Sequence, residues 1–562
     1  MELKVEHIET DFLVLGGGTA GCYAALTFSA RSAAKVLIAE KANIKRSGCL
    51  AAGVNALNAY ITTGHTPQDY VDYARTDAAG IVRGDLLISM SRGLNRAAQR
   101  LEEIGLTIQK NPDGSYMARG ERNIKINGEN IKPLLAAAVA KPQVTVLERV
   151  AACSYIMGAD KRVAGAYLVG VDDPVLYVIS ARAVLCATGG AAGLYRPNNP
   201  GFSGHKMWYP PFNTGAGLAM GIQAGAEMTS LEMRFVALRC KDTIAPTGTL
   251  AQGMGARQIN SLGRVYEQDY GLSTSARLYG TITENLEGRG PCFLRTVGAT
   301  SEQDAEIEKA YLNMAPSQTL RWLESGLPPS QKNVEIEGTE PYIVGGHTAS
   351  GYWVDTHRET TLKCLFAAGD VAGGCPQKYV TGALAEAEIA TEAAISYMSD
   401  ELKQTDIEQT QRIKVWLESH LMRTMPETGD TVDGLEEEMQ ALMDEQAGGI
   451  TSNYQYSQAS LEQAAAGIYS LSKRAKALSV PDMPELTYLL ELRERLIVCR
   501  SLLAHLAARK ESRWPGFAKH ADYPEQDDSF RCYVNSKLED GKVKVLFRDL
   551  VEEGEVYEHH DR

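Results

Sequence analysis

The sequence predicts an α/β protein: a Rossmann-like dinucleotide-binding domain, interrupted by an α+β capping domain and followed by a helical C-terminal domain. Three observations predict it. A glycine cluster sits between a short apolar run and a helix-like segment, a polar irregular stretch separates two blocks of apolar β sequence, and charged helical periodicity takes over from about residue 400. At about 150 residues per unit, the chain of 562 has room for roughly three or four such units.

The elements follow in order. DFLVL (11–15) is a strand, GGGTAG a turn, CYAALTFSARSA a helix, and KVLIAE a second strand ending at Glu40. VTVLERV, AGAYLVG and PVLYVIS are β-rich and lead into AVLCATGG. The first part of the dinucleotide domain is therefore 1–235, and the polar insertion at 236–345 is the cap, with a charged helical stretch at 301–325. β sequence resumes at CLFAAGDVAGG (364–374), followed by the small-residue helix ALAEAEIATEAAISYM, so 346–398 completes the domain. Residues 399–562 form the helical domain, which ends in a short β-like tail, KVKVLFRDLV.

Composition excludes several classes. Hydrophobic residues at 44% and charged residues at 23% are ordinary for a globular protein, and no run of 18 apolar residues predicts membrane insertion. A net charge of −13 without a basic stripe argues against a nucleic-acid partner. The ten cysteines are dispersed with no CxxC, so neither a metal site nor an iron–sulfur cluster is expected in this chain. The polar start MELKVEHIET runs directly into a strand, which predicts no signal peptide and a cytoplasmic protein.

Gly16-x-Gly18-x-x-Gly21 follows a strand and opens a helix, and Glu40 closes the next strand 24 positions after Gly16. The glycines permit a tight turn and close approach of a pyrophosphate to a helix N-terminus, and the acid can accept from ribose hydroxyls. ATGG (187–190) and AAGDVAGG (367–374) also end strands in glycine, and Asp370 suits a flavin ribityl or pyrophosphate contact. Three such strand ends favour FAD over NAD. The candidate cofactor-binding residues are Gly16, Gly18, Thr19, Ala20, Gly21, Glu40, Lys41, Ser47, Gly48, Ala187, Thr188, Gly189, Gly369 and Asp370.

ETDFLVLGGGTAG, ALNAY, NSLGRVYE and LFAAGDVAGG resemble the flavoprotein subunits of the fumarate reductase and succinate dehydrogenase superfamily. Within it, KRSGCLAAGVNALNAY, INGENIKP, MWYPPFNTG, EMRFVALRCKD, EGRGP, TEPYIVGGH, KYVTGALAEAEIA and RWPGF are similar to the adenylylsulfate reductase α subunits. The resemblance implies a Rossmann-like FAD-binding domain interrupted by an α+β capping domain over the flavin. Where fumarate enzymes carry the covalent-flavin histidine, RSGCLAA has Gly48, so the implied FAD is non-covalent. Their two substrate histidines are replaced by Arg239 and Pro341.

The same resemblance carries the catalytic roles to Arg239 and His347, which in that family sit at the flavin near the sulfo group, and to Arg277. A guanidinium offers planar bidentate donors for an oxyanion at any working pH. Arg277, in STSARLYG, is equally readable as a helix-surface arginine. Trp208, Asn58 and Glu129 are the implied substrate-pocket residues; Trp208 also reads as a core tryptophan and Asn58 as a helix cap. The implied reaction passes electrons from a ferredoxin-like iron–sulfur β subunit through flavin N5 to a small anionic substrate, in a heterodimer or higher assembly. The chain departs from the family at KDTIAPTGTLAQ, where Ala251 and Gln252 stand in place of bulky apolar residues, so the acceptor is adenylylsulfate or a related anion. A fumarate or enoate reductase, and a flavin electron-transfer subunit without its own substrate, are the alternatives.

Overall fold

The computed structural model describes residues 1–158, 160–197, 207–244, 248, 250–398, 406–421 and 429–559. Its centre is a seven-stranded sheet. β1 (Lys4–Leu15) pairs in parallel with β2 (Val36–Glu40) on one side and with Val175–Cys186 on the other, and β2 pairs in parallel with Val144–Glu148. Leu365–Ala367 adds a further parallel strand beside Val184–Cys186. The long strand Val175–Cys186 thus serves two partners along one edge: its N-terminal half also meets Val163–Gly170, which continues antiparallel into Val150–Met157.

The sequence explains this sheet. β2 is buried along its whole length, as parallel strands covered on both faces are, and reads as the continuous apolar run VLIA before Glu40. The helix α1 (Thr19–Arg31) buries every residue from Ala20 to Phe28, and its small side chains let it pack against the long helix Tyr379–Tyr397. Leu15, Glu40, Cys186 and Ala367 consequently end at one edge of the sheet, the edge where doubly wound α/β proteins bind ligands.

A separate four-stranded antiparallel sheet joins Leu238–Cys240, Val334–Gly338, Cys292–Leu294 and Gln258–Ile259 in that spatial order. Helices Thr274–Leu286, Ser301–Met314 and Pro316–Ser325 accompany it. The charged stretch at 301–325 is therefore two helices, divided at Pro316, because proline is accommodated in a first turn and not inside a helix.

Downstream lie the helices Ile407–His420, Val432–Gln446, Gln458–Ala477 and Met483–Ala508. The terminal β sequence forms a hairpin, Tyr533–Glu539 with Lys542–Arg548, which packs against the helix Met483–Ala508. It adds to Met228–Thr229, which pairs in turn with Gly351–Tyr352. The hairpin is thereby tied to segments that precede and follow the four-stranded antiparallel sheet in the chain.

Candidate active site

The glycine loop is shaped by contacts that exclude side chains. Gly16 has φ +98°, and a Cβ on it would meet the Ala187 carbonyl oxygen at 2.5 Å; a Cβ on Gly21 would lie 1.9 Å from the Gly16 carbonyl oxygen. Gly18, just before α1, faces open space. Glu40 braces the loop from β2: one carboxylate oxygen accepts from the Gly17 N–H at 2.7 Å and the other from the Ala42 N–H at 2.8 Å. Beneath the loop the buried Lys132 donates from Nζ to the Gly17 carbonyl at 2.7 Å, a contact that INGENIKP did not signal. Gly48, with φ +78°, faces the Gly18 Cα across a gap that would leave 3.2 Å to an added Cβ.

From this loop a cavity of about 730 Å³ runs along the sheet edge to the insertion. Of the predicted cofactor residues, Gly16, Gly18, Thr19, Ala20, Glu40, Lys41, Ser47, Gly48, Ala187, Thr188, Gly189, Gly369 and Asp370 all line it. Gly21 does not; it packs against the Gly16 backbone behind the lining. The Asp370 carboxylate accepts from the Tyr209 hydroxyl at 2.7 Å, and Gly346 leaves it room, since a Cβ there would sit 1.9 Å from Asp370 Oδ1. Burial raises the Asp370 pKa, opposed by Tyr209 and Lys378. Lys378 is fully buried and clamps the turn around Asp370: its Nζ donates to the Gly369 and Ala372 carbonyls at 2.9 and 2.6 Å and pairs with Glu386 at 3.0 Å.

At the far end the cavity is walled by aromatic rings. His347 stacks on Phe235 at 4.3 Å with 15° between planes, and its ring meets the edges of Trp208 and Tyr379 at 5.3 and 5.1 Å. Burial pushes the His347 pKa down to about 4, so the imidazole is neutral near pH 7. Trp208 is fixed through its backbone N–H, which donates to the Tyr342 hydroxyl at 3.1 Å, and Tyr342 in turn donates to Glu340. Asn58 and Thr274 line the same cavity. So does Gln377, whose Nε2 donates to Asp77 while its buried Oε1 has no partner. Polar orphans of this kind are rare in folded proteins. No motif pointed to Gln377; only its tertiary surroundings do.

Arg239, Arg277 and Glu129 lie outside the cavity lining. Arg239 is buried and pairs with Glu337, Nη2 to Oε1 at 2.8 Å and Nε at 3.0 Å, because the strand register sets these two residues opposite each other. Its predecessors Ala237 and Leu238 form the cavity wall. Arg277 is held in its own helical neighbourhood, donating from Nε to the Leu272 carbonyl at 2.8 Å and from Nη1 to Gln252. Glu129 is exposed, with its Cα against Gly53 of the lining.

A Rossmann-type sheet, a braced glycine loop and a long cavity ending at a second, antiparallel sheet define a flavin-dependent oxidoreductase. Residues 11–382 match the family model described as FAD binding domain, and residues 436–559 match that described as Fumarate reductase flavoprotein C-term. The chain belongs to the fumarate reductase and succinate dehydrogenase flavoprotein superfamily, and within it is similar to the adenylylsulfate reductase α subunits. The α subunit of adenylylsulfate reductase from Megalodesulfovibrio gigas is 29% identical over 96% of this chain and 95% of its own length. The structure of adenylylsulfate reductase from Archaeoglobus fulgidus superposes with a TM-score of 0.93 at 30% identity, covering 99% of this chain and 98% of that one. A structure of adenosine-5-phosphosulfate reductase in complex with sulfite, as a covalent adduct, gives the same TM-score of 0.93, identity of 30% and coverage of 99% and 98%. No described helix is long and apolar enough to cross a membrane.

Proposed function

We propose that this chain is the flavoprotein subunit of a reductase that passes electrons from a ferredoxin-like iron–sulfur β subunit, through non-covalent FAD, to a small anionic substrate: adenylylsulfate or a related acceptor. The observation that carries the reading is a continuous cavity that joins the glycine loop to the Trp208, Phe235 and His347 wall. The open space at Gly18 and the free face of the loop fit a bound dinucleotide. When bound, FAD supplies two-electron chemistry at its isoalloxazine ring.

The chain's own residues divide the remaining work. Gly16, Gly18 and the α1 N-terminus receive the pyrophosphate, and Glu40 accepts from the ribose. Gly48 offers no nucleophile to the flavin. The aromatic wall excludes water from the substrate end, where hydrogen bonds and charges then act at greater strength. His347 enters this site neutral, and an oxyanion beside it favours the protonated ring, so substrate and proton bind together. Arg239 stands behind Leu238 with its charge balanced by Glu337; in this reading the substrate oxyanion competes with Glu337 for the guanidinium. Gln377 presents an acceptor to a substrate N–H or O–H.

Sulfite added to the purified flavoprotein is expected to bleach the flavin band, and AMP is expected to be required for ferricyanide reduction by sulfite. Failure of both would overturn the adenylylsulfate reading. Reoxidation of the reduced flavin by unsaturated carboxylic acids instead would assign the chain to the fumarate-type branch.

A further inference from the structure

The helix Met483–Ala508 faces the dinucleotide domain with residues spaced three and four apart. Glu491 pairs with Lys41 Nζ at 2.7 Å. Arg495 donates to the Ala192 and Pro211 carbonyls at 3.0 and 2.8 Å. Val498 packs at Gly215, where an added Cβ would lie 2.9 Å from its Cγ2. Gly193 makes similar room for Arg495: its φ is +72°, and an added Cβ would fall 2.8 Å from the guanidinium Nε. The remaining member of this face is Glu494, which lines the cavity.

Glu494 lies at the Lys41 end of that cavity. Its lining neighbours include Lys41, next to the ribose acid Glu40, and Thr214. Oε2 accepts from the Thr214 hydroxyl, and the half-buried residue lines the cavity. Lys41, Glu491 and Arg495 are the charged groups around it, and burial lifts its pKa to about 7. A desolvated carboxyl group that lines a cavity, with one oxygen already held by a hydroxyl, is arranged to meet a ligand donor.

We propose that Glu494, supplied by the C-terminal helical region, is a cofactor-binding residue that hydrogen-bonds the adenosine half of FAD, at a ribose hydroxyl or the adenine amino group. This rests on FAD being the cofactor. It makes cofactor retention depend on the docking of a helix more than 450 positions away from the glycine loop in sequence. A helix contact alone would be served by Glu491, Arg495 and Val498, none of which lines the cavity.

FMN carries the isoalloxazine and lacks the adenosine, so it separates the two roles. Apoprotein and its Glu494→Ala and Glu494→Gln variants are titrated with FAD and with FMN by fluorescence quenching, beside thermal melts of the apoproteins. The expected result for Glu494→Ala is a roughly ten- to hundredfold loss of FAD affinity, the worth of one charge-assisted hydrogen bond, with FMN affinity unchanged. Glu494→Gln, which keeps the shape and the Thr214 contact, is expected to lose less FAD affinity and to leave FMN alone. Parallel loss of FAD and FMN binding with a lower melting temperature would show that Glu494 only fastens the helix. Unaltered FAD affinity in both variants would also overturn the proposal. Failure of the unaltered apoprotein to bind FAD would remove the cofactor assignment, and the proposal with it.

Discussion

Glu40→Gln tests how the glycine loop is held. Glu40 is buried, with 6% of its surface exposed, and its two oxygens accept from two different backbone N–H groups, Gly17 and Ala42, at 2.7 and 2.8 Å. A glutamine has one acceptor oxygen to offer these two donors. One charge-assisted bond, worth about 1.5–3 kcal/mol, is lost, and an NH2 group is set against an N–H at a buried site, costing about 1–3 kcal/mol more. The amide also accepts more weakly from ribose hydroxyls. The first two losses, together about 2.5–6 kcal/mol, fall on the folded loop with or without FAD; the weaker acceptance from the ribose lowers FAD affinity by roughly tenfold, since about 1.4 kcal/mol corresponds to one decade in Kd. FAD titration of the apoprotein measures it. Glu40→Asp, which keeps the charge but withdraws it by one methylene, is expected to lose affinity less steeply. FAD affinity unchanged by Glu40→Gln would refute the view that this carboxylate meets the ribose.

Three further outcomes follow from the same geometry. Gly346→Ala places a Cβ 1.9 Å from Asp370 Oδ1, so the carboxylate must swing off Tyr209; flavin content on purification is expected to fall sharply, and a normal FAD complement would contradict the packing. His347, with a folded pKa near 4 against an ordinary 6.5, is protonated first in the unfolded chain as pH falls. Its contribution is thus fully present above pH 6.5 and is lost progressively toward pH 4, and the difference between wild-type and His347→Phe melts over this range is expected to show that slope. With Gly48 beside the glycine loop and no side chain there to bond a flavin, acid precipitation is expected to release all flavin into the supernatant; flavin fluorescence remaining on the denatured chain would disprove non-covalent binding.

Much of the lining of the candidate cofactor cavity was legible along the chain because its parts are local. A strand, a glycine turn and a helix are consecutive, and Glu40 ends the very next strand, so spacing alone carries the chemistry of pyrophosphate and ribose. Gly369 and Asp370 were readable for the same reason, as a glycine turn at a strand end. The substrate end was less legible. His347, Trp208 and Asn58 reach the cavity, but Arg239 turns to Glu337, 98 residues away, and no spacing rule reports a cross-strand register.

The sequence by itself determined the element order, the dinucleotide fingerprint and the family likeness, because each is written in residues close together in the chain. Tertiary structure alone decided which distant groups complete the site. Lys132 under the loop, Tyr209 on Asp370, Lys378 beneath Gly369, Gln377 with its unpaired oxygen, and Glu494 from the last long helix converge from segments that share no motif. Their burial creates the demand for partners, and only folding brings those partners within hydrogen-bond reach.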